Sequence, residues 1–305
     1  MKSTTVLMAT YNGCAYLSSQ IGSIEKQNLG PIDLLISDDG STDETLALLA
    51  EVERNWAHGT VTIIQGPSLG FAENYRHLIT NSPGNSDLYA FSDQDDIWEP
   101  DKLALAAEQI DRSNGKPALF CSRTMIVDKD GHDKGLSPLF SATPSFKNAI
   151  VQSIAGGNTM VFNRPTRDLL VEASKRTGFV SHDWWAYLLV TGAGGSVHYS
   201  TIPKVRYRQH ESNIVGANLS WRARMTRLTL MAGGRFAKWN QQNLDALSLC
   251  EDLLTDEARE LMNEFRKIRS GNFPDRLFRL RQSNIYRQTS LGQFSLYLAC
   301  ALGKI

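Results

Sequence analysis

Short apolar runs alternate with helix-periodic stretches over the first hundred residues, and that alternation sets the expected architecture. Thr5 to Ala9 reads as a buried strand, and the Leu17, Ile21 and Ile24 spacing within Ala15 to Lys26 is that of a helix. Asp33 to Ile36 is a second strand, Thr42 to Arg54 a helix, Gly59 to Ile64 a third strand and Phe71 to Ile79 a helix. Leu88 to Phe91 follows as a fourth strand, with a helix over Asp101 to Ile110. Repeated β-α units predict an α/β fold, a Rossmann-like and mostly parallel central sheet flanked by helices.

Beyond Lys116 the pattern is less regular. Strands are expected at Ala118 to Val127, Thr159 to Phe162 and Ser196 to Tyr199, with helices after Arg164 and around Asp183. After about Gly216 the strand signals stop. Arg222 to Ala301 reads as helical, with breaks at Gly233-Gly234, Gly271 to Pro274 and Gly292. The expected division is therefore a catalytic domain over 1–216 and a helical region over 217–305.

Charge changes this picture by dividing it. The 305 residues carry 32 basic and 32 acidic side chains, yet residues 216–305 hold 14 Lys and Arg against 8 Asp and Glu. The first part is thus acidic and the second basic, and overall neutrality argues against a general nucleic-acid binder. The four cysteines, Cys14, Cys121, Cys250 and Cys300, form no CxxC pair or Cys/His cluster, which suggests a reducing compartment and no zinc site. No secretory leader or membrane span is expected from the apolar runs.

Candidate chemistry sits at the strand ends, where parallel sheets bind ligands. The first strand ends in Ala9-Thr10-Tyr11-Asn12-Gly13, the second in Asp38-Asp39-Gly40-Ser41-Thr42-Asp43, and the fourth in Ser92-Asp93-Gln94-Asp95-Asp96. The second segment also reads as plain helix capping by Ser41 or Thr42. Three carboxylates within four residues at Asp93, Asp95 and Asp96 repel one another unless hydrated or offset by a cation, and Mg²⁺ or Mn²⁺ bound with a diphosphate fits that need.

These segments, extended through Ile97-Trp98-Glu99-Pro100-Asp101-Lys102, resemble the nucleotide-sugar-binding half of family 2 glycosyltransferases with the GT-A fold, and Asp93-Gln94-Asp95 stands where that family carries DXD. His182-Asp183-Trp184-Trp185 and Tyr207-Arg208-Gln209-His210-Glu211-Ser212-Asn213 are similar to the bacterial rhamnosyltransferase subgroup. The resemblance covers roughly residues 4–216. It implies that Thr10, Tyr11, Asn12, Asp38, Asp39, Asp93 and Gln94 hold the donor nucleotide, with Asp39 accepting the imide N–H of uracil or thymine. It also implies that Asp95 and His210 bind a divalent cation and that Arg208 pairs with the diphosphate. Asp183 is the expected base for inverting transfer, because the acceptor hydroxyl must lose its proton opposite the leaving group. Gly157, Asn158, His182 and Trp184 are expected near the donor sugar or acceptor, while Asp96 orients its neighbours and Trp98 and Pro100 pack.

The resemblance further implies a nucleoside diphosphate sugar donor, dTDP-L-rhamnose or a UDP-sugar, and a saccharide acceptor of a bacterial surface polysaccharide, free or lipid-linked. The expected location is the cytoplasm, including the inner face of the plasma membrane. A sugar nucleotidyltransferase is the competing class, but no Gly-rich basic loop for a triphosphate is present. Gly192-Ala193-Gly194-Gly195 does not complete GxGxxG, and there is no GxSxG elbow. In the basic region, Arg222, Arg224, Arg227, Arg235 and Lys238 among Trp221, Met225, Leu228, Leu230, Met231, Phe236 and Trp239 read equally as a membrane-surface helix or as one packed on the catalytic domain. Phe294 to Leu302 fits a buried helix, a homodimer contact or shallow membrane insertion.

Overall fold

The protein is described here by a computed structural model covering residues 2–210 and 234–305. Among these residues nine strands, β1 (Thr4–Thr10), β2 (Ile32–Asp38), β3 (Val61–Gln65), β4 (Leu88–Ser92), β5 (Ile97–Trp98), β6 (Ala118–Val127), β7 (Asp133–Leu136), β8 (Val161–Asn163) and β9 (Ser196–Arg208), form one sheet. Its order is β3-β2-β1-β4-β8-β6-β9-β5, with β7 paired to β6. The β3-β2-β1-β4 half is wholly parallel, and β6 runs parallel to β9; β8 inserts antiparallel between β4 and β6.

The helices up to residue 192 are α1 (Leu17–Glu25), α2 (Thr45–Asn55), α3 (Phe71–Asn81), α4 (Lys102–Asp111), the short α5 (Phe146–Ala149), α6 (Arg164–Arg176) and α7 (His182–Gly192). Side-chain alternation along the strands explains why the central ones read as unbroken apolar runs. Val6, Met8, Leu34, Ile36, Leu88 and Ala90 pack under α1, α2 and α4. Leu7, Leu35, Tyr89 and Phe91 face the opposite way, toward α3, α6 and α7. Both faces are therefore dry, as βα crossovers require.

Among the described residues four further helices follow: α8 (Arg235–Ser248), α9 (Asp256–Ser270), α10 (Phe273–Ser283) and α11 (Ser290–Ala301). They share the α7-side core, contributing Leu244, Leu247, Met262, Phe265, Ile268, Leu280 and Leu296. Gly192 lies at that junction, where an added Cβ would sit 2.8 Å from Leu254. Of the basic segment singled out from the sequence, Arg235, Phe236, Lys238 and Trp239 start α8, with Arg235 above the Trp239 ring at 4.5 Å and Phe236 in the core. Trp221 to Met231, Glu211 to Asn213 and the boundary expected at residue 216 lie outside the described residues.

Several expectations are corrected. Helix α2 starts at Thr45 rather than Thr42, because Ser41 and Asp43 are spent on loop hydrogen bonds to Asp38 and Thr45. Strand β9 runs nine residues past Tyr199, carried by pairing to β6 through a register shift at Ser122/Thr124. Strands β5 and β7 were not anticipated. Gly292 is no break: it lies in the first turn of α11 and donates its N–H to the Thr289 cap at 3.1 Å. The interruption falls instead at residues 284–289, where Asn284 adopts φ +54°.

Candidate active site

The carboxyl ends of β1, β2 and β4 meet at one edge, and each is fastened to its neighbour by side chains. Thr10 donates to Asp38 at 2.8 Å, and Asp38 also accepts from the Ser41 N–H at 2.8 Å and hydroxyl at 2.6 Å. Buried and so occupied, Asp38 organises the loop. Asp39 accepts the N–H groups of Ser68 at 2.7 Å and Gly70 at 2.8 Å, one on each oxygen. A carboxylate retains lone pairs beyond these two, so Asp39 can still accept from a ligand. Asn12 takes a left-handed turn, φ +48°, and ties β1 to this loop through Ser41 and Thr42. Tyr11 stands out at the edge, 57% exposed.

Gln94, expected at the nucleotide, fastens two strand ends. Its amide accepts from the Tyr11 N–H and donates to the Tyr11 carbonyl, both at 2.9 Å, stapling β4 to β1. That staple explains Gly13, where a Cβ would come within 2.2 Å of Gln94 Oε1.

The acidic cluster divides into an inner and an outer part. Asp96 is fully buried, bonded to the Asn158 amide and to the Arg208 N–H at 3.1 Å. The Asn158 carbonyl accepts from Lys102 Nζ at 2.7 Å, and that ammonium lies 3.2 Å from the centre of the Trp98 ring. Burial, and then the Asp95 and Asp93 charges, push the Asp96 carboxyl well up from its ordinary value; burial pushes the Lys102 amine well down, against the opposing pull of the Asp96 and Asp93 charges. Burial first, and then the neighbouring Asp95 charge, raise Asp93 to about 7, although Tyr75 Oη donates to it at 2.7 Å.

Asp95 Oδ2 and His210 Nε2 are 2.8 Å apart, both largely buried. The His210 ring stacks on Tyr16 with centroids 4.8 Å apart, and the Arg208 guanidinium covers the same tyrosine while donating to the Asp95 carbonyl at 3.0 Å. Adjacent ligands of an octahedral ion at about 2.1 Å are about 3.0 Å apart, so this O/N pair has the spacing of two neighbouring metal ligands. Among the described residues no third His, Cys, Asp or Glu ligand atom joins them. Substrate phosphates are the usual complement in such sites. The group that does cluster, Asp128, Asp130 and His132, is a β6-β7 turn in which Asp128 accepts the N–H groups of Asp130 and His132 and binds Lys134 at 2.8 Å.

On the other side of Asp93 lies the start of α7. His182 is buried, stacked on Tyr75 with centroids 3.5 Å apart, and neither ring nitrogen has a partner. Burial lowers its pKa to about 4, so it is neutral at pH 7. Gly157 makes room for it, since a Cβ there would lie 1.8 Å from His182 Nε2. Asp183 follows in the first turn, after Ser181 at the N-cap position, which makes no side-chain cap bond, and Asp183 accepts from Ser153 Oγ at 3.3 Å and from the Trp184 N–H at 2.8 Å. Its charge reaches Asp93. Trp184 does not face this space: it is buried, and its indole donates to the Ala149 carbonyl at 2.6 Å.

The sequence reading missed Tyr75, Lys102, Tyr16 and Ser153. Tyr75 sits on the apolar period of α3 and reads as core, and Lys102 at a helix start reads as surface. Only contact between distant segments gives either a role.

Comparison with known proteins agrees with this geometry. The sequence profile described as "Glycosyl transferase family 2" matches residues 5–170. The dTDP-rhamnosyl transferase RfbG of Shigella flexneri is 30% identical over 251 residues, covering 79% of this chain and 83% of that protein. The succinoglycan biosynthesis protein ExoW of Rhizobium meliloti is 35% identical over 100 residues, 32% of this chain and 30% of that one. Among solved structures, S. aureus TarS 1–349 with UDP-GlcNAc superposes with a TM-score of 0.52 at 13% identity, covering 99% of this chain and 91% of that chain. Mannosyltransferase PcManGT from Pyrobaculum calidifontis with GDP-Man and Mn²⁺ gives 0.50 at 14%, covering 99% and 85%. This chain belongs to glycosyl transferase family 2 and is a glycosyltransferase of the GT-A fold, similar to a rhamnosyl transferase.

Proposed function

We propose that the enzyme is an inverting glycosyltransferase that moves L-rhamnose from dTDP-L-rhamnose to a saccharide of a bacterial surface polysaccharide, with a divalent cation, Mn²⁺ or Mg²⁺, held by Asp95 and His210. The acceptor in this reading is lipid-linked and met at the inner face of the plasma membrane. The observation that carries the reaction is the placement of Asp183 and Asp93 across the Tyr75–His182 stack, with the Asp95–His210 pair beyond. The similarity to dTDP-rhamnosyl transferase RfbG supports the choice of donor.

Tyr11 and Asp39 receive the base: the exposed ring offers a stacking face, and Asp39 accepts the imide N–H. Asp38, Asn12, Thr10 and Gln94 hold the loops in place around it. Arg208 sits on the diphosphate side. When bound, the cation neutralises charge on the departing nucleoside diphosphate. Asp183 takes the proton of the acceptor hydroxyl as its oxygen bonds to the anomeric carbon, and the bond from that carbon to the diphosphate oxygen breaks on the opposite face. His182, neutral and unpartnered, offers a hydrogen bond to a sugar hydroxyl beside Gly157. Asn158 and Trp184 support from within the protein.

A thermal-shift panel of dTDP, UDP, dTDP-L-rhamnose and UDP-hexoses, each with and without Mn²⁺, tests the donor. Larger stabilisation by dTDP-L-rhamnose with metal is expected. Preference for a UDP-sugar would replace the donor, and indifference to every nucleotide would remove the reading.

A further inference from the structure

Helix α11 is apolar on two opposite sides. Leu296, Ala299 and Cys300 are buried against the core, whereas Leu291, Phe294 and Leu298, with Leu302 just past the helix end, are 54%, 65%, 45% and 60% exposed. Spacings of three, four and four residues put these four on one stripe. Neighbouring α10 adds Phe278, 67% exposed. The surroundings are cationic: residues 271–305 hold Arg276, Arg279, Arg281, Arg287 and Lys304 against the single acid Asp275. Arg279 is bound to Asp275 and Glu264 and Arg287 lies over the Phe236 ring at 5.3 Å; Arg281 is exposed on α10, and Lys304 is exposed just past the end of α11.

We propose that this face of α11 docks on an anionic lipid bilayer, its apolar stripe lying in the headgroup region and the basic residues meeting lipid phosphates. At twelve residues the helix is about 18 Å long, and no described helix is long and apolar enough to cross a membrane, so it lies in the interface. A second copy of the chain fits less well, because a two-fold contact through this stripe would set each copy's basic set against the same set on the other.

The surface is also braced to the candidate base. In the α10–α11 connection, the Tyr286 carbonyl accepts from Asn148 at 2.9 Å and the Gln288 N–H donates to Gln152 at 2.9 Å; the next residue, Ser153, donates to Asp183. Docking would therefore set the acceptor side close to lipid-borne substrates, a consequence that rests on the proposed function, whereas docking itself does not.

The test is sedimentation of the full chain with vesicles of phosphatidylglycerol and phosphatidylethanolamine, and with phosphatidylcholine alone. Anionic vesicles are expected to bind about tenfold more tightly, and F294Q/L298Q to lose about tenfold of that binding with unchanged circular dichroism and nucleotide affinity. R281E should weaken only the anionic binding, severalfold, and serves if the double variant misfolds. No sedimentation of the wild type, or equal sedimentation of all variants, would overturn the proposal, as would a wild-type dimer that F294Q/L298Q converts to monomer without vesicle binding. Loss of nucleotide binding in the wild type would count against the site and leave this surface untouched.

Discussion

His210 Nε2 lies 2.8 Å from Asp95 Oδ2, joining the end of β9 to the end of β4 across 115 residues of chain. Without a cation this is a hydrogen bond; in the proposed reading a cation would take the two atoms as adjacent ligands. Replacing either residue with alanine is expected to raise the Mn²⁺ concentration needed for donor binding by at least roughly tenfold, the lower end of what even a supporting group costs. Isothermal titration of the donor at several metal concentrations measures it. Unchanged metal dependence in both variants would remove the pair as ligands.

Asp93 gives the metal effect a pH signature. Its folded value, raised to about 7, lies above the unfolded one near 3.9, so between those values the folded chain holds a proton that the unfolded chain has lost. In the absence of metal, stability contributed at this position falls as pH rises from about 4 to 7 and is level above. A cation relieves the charge. Mn²⁺ should raise the melting temperature more at about pH 8 than at about pH 5, with apparent affinity falling on the order of tenfold per pH unit below 7 as a proton competes. A melting shift equal at both pH values would contradict this.

Lys102 is buried with its amine on the Asn158 carbonyl, and the Asp96 and Asp93 charges favour its ionised form, so removing it takes a compensating cation from beside two interior carboxyls. Lys102→Met is expected to cost about 3–5 kcal/mol of stability, as breaking buried pairs does. Urea denaturation followed by fluorescence reads this directly, and a change below about 0.5 kcal/mol, the range of neutral surface substitutions, would refute the pairing.

Gly157 and His182 are expected to be non-additive. Gly157→Ala alone places a methyl 1.8 Å from the imidazole and should abolish turnover, whereas Gly157→Ala combined with His182→Ala removes the clash. The double variant should fold better than Gly157→Ala, a difference visible in melting temperature. Strict additivity would show that the two do not meet.

Much of the fold was legible where one rule governed. Strands β1, β2 and β4 have dry faces on both sides, so their sequences are continuous apolar runs ending in turn residues. Strand β9 was read short because Pro203, Lys204, Arg206 and Arg208 interrupt its hydrophobicity, and pairing with β6 and β5 carries the strand through them. Strand β5 has two residues and exists through Val205 and Arg206 alone. At the site, the acidic strand ends were legible because clustered carboxylates need an explanation. Trp184 was expected near the ligand from its neighbours, and its indole is buried on the Ala149 carbonyl, since a helix start turns successive side chains in different directions. Lys102 and Tyr75 acquire their parts only through Asn158 and Asp93, which no local pattern encodes.

The central claim is that Asp183 is the base of sugar transfer. It is tested most directly by comparing wild type and Asp183→Asn for dTDP release from dTDP-L-rhamnose with acceptor and Mn²⁺ present, alongside donor affinity by calorimetry. The expected result is turnover lower by about 10²- to 10⁴-fold with donor affinity within about twofold of wild type. Near-normal turnover by Asp183→Asn would contradict the account.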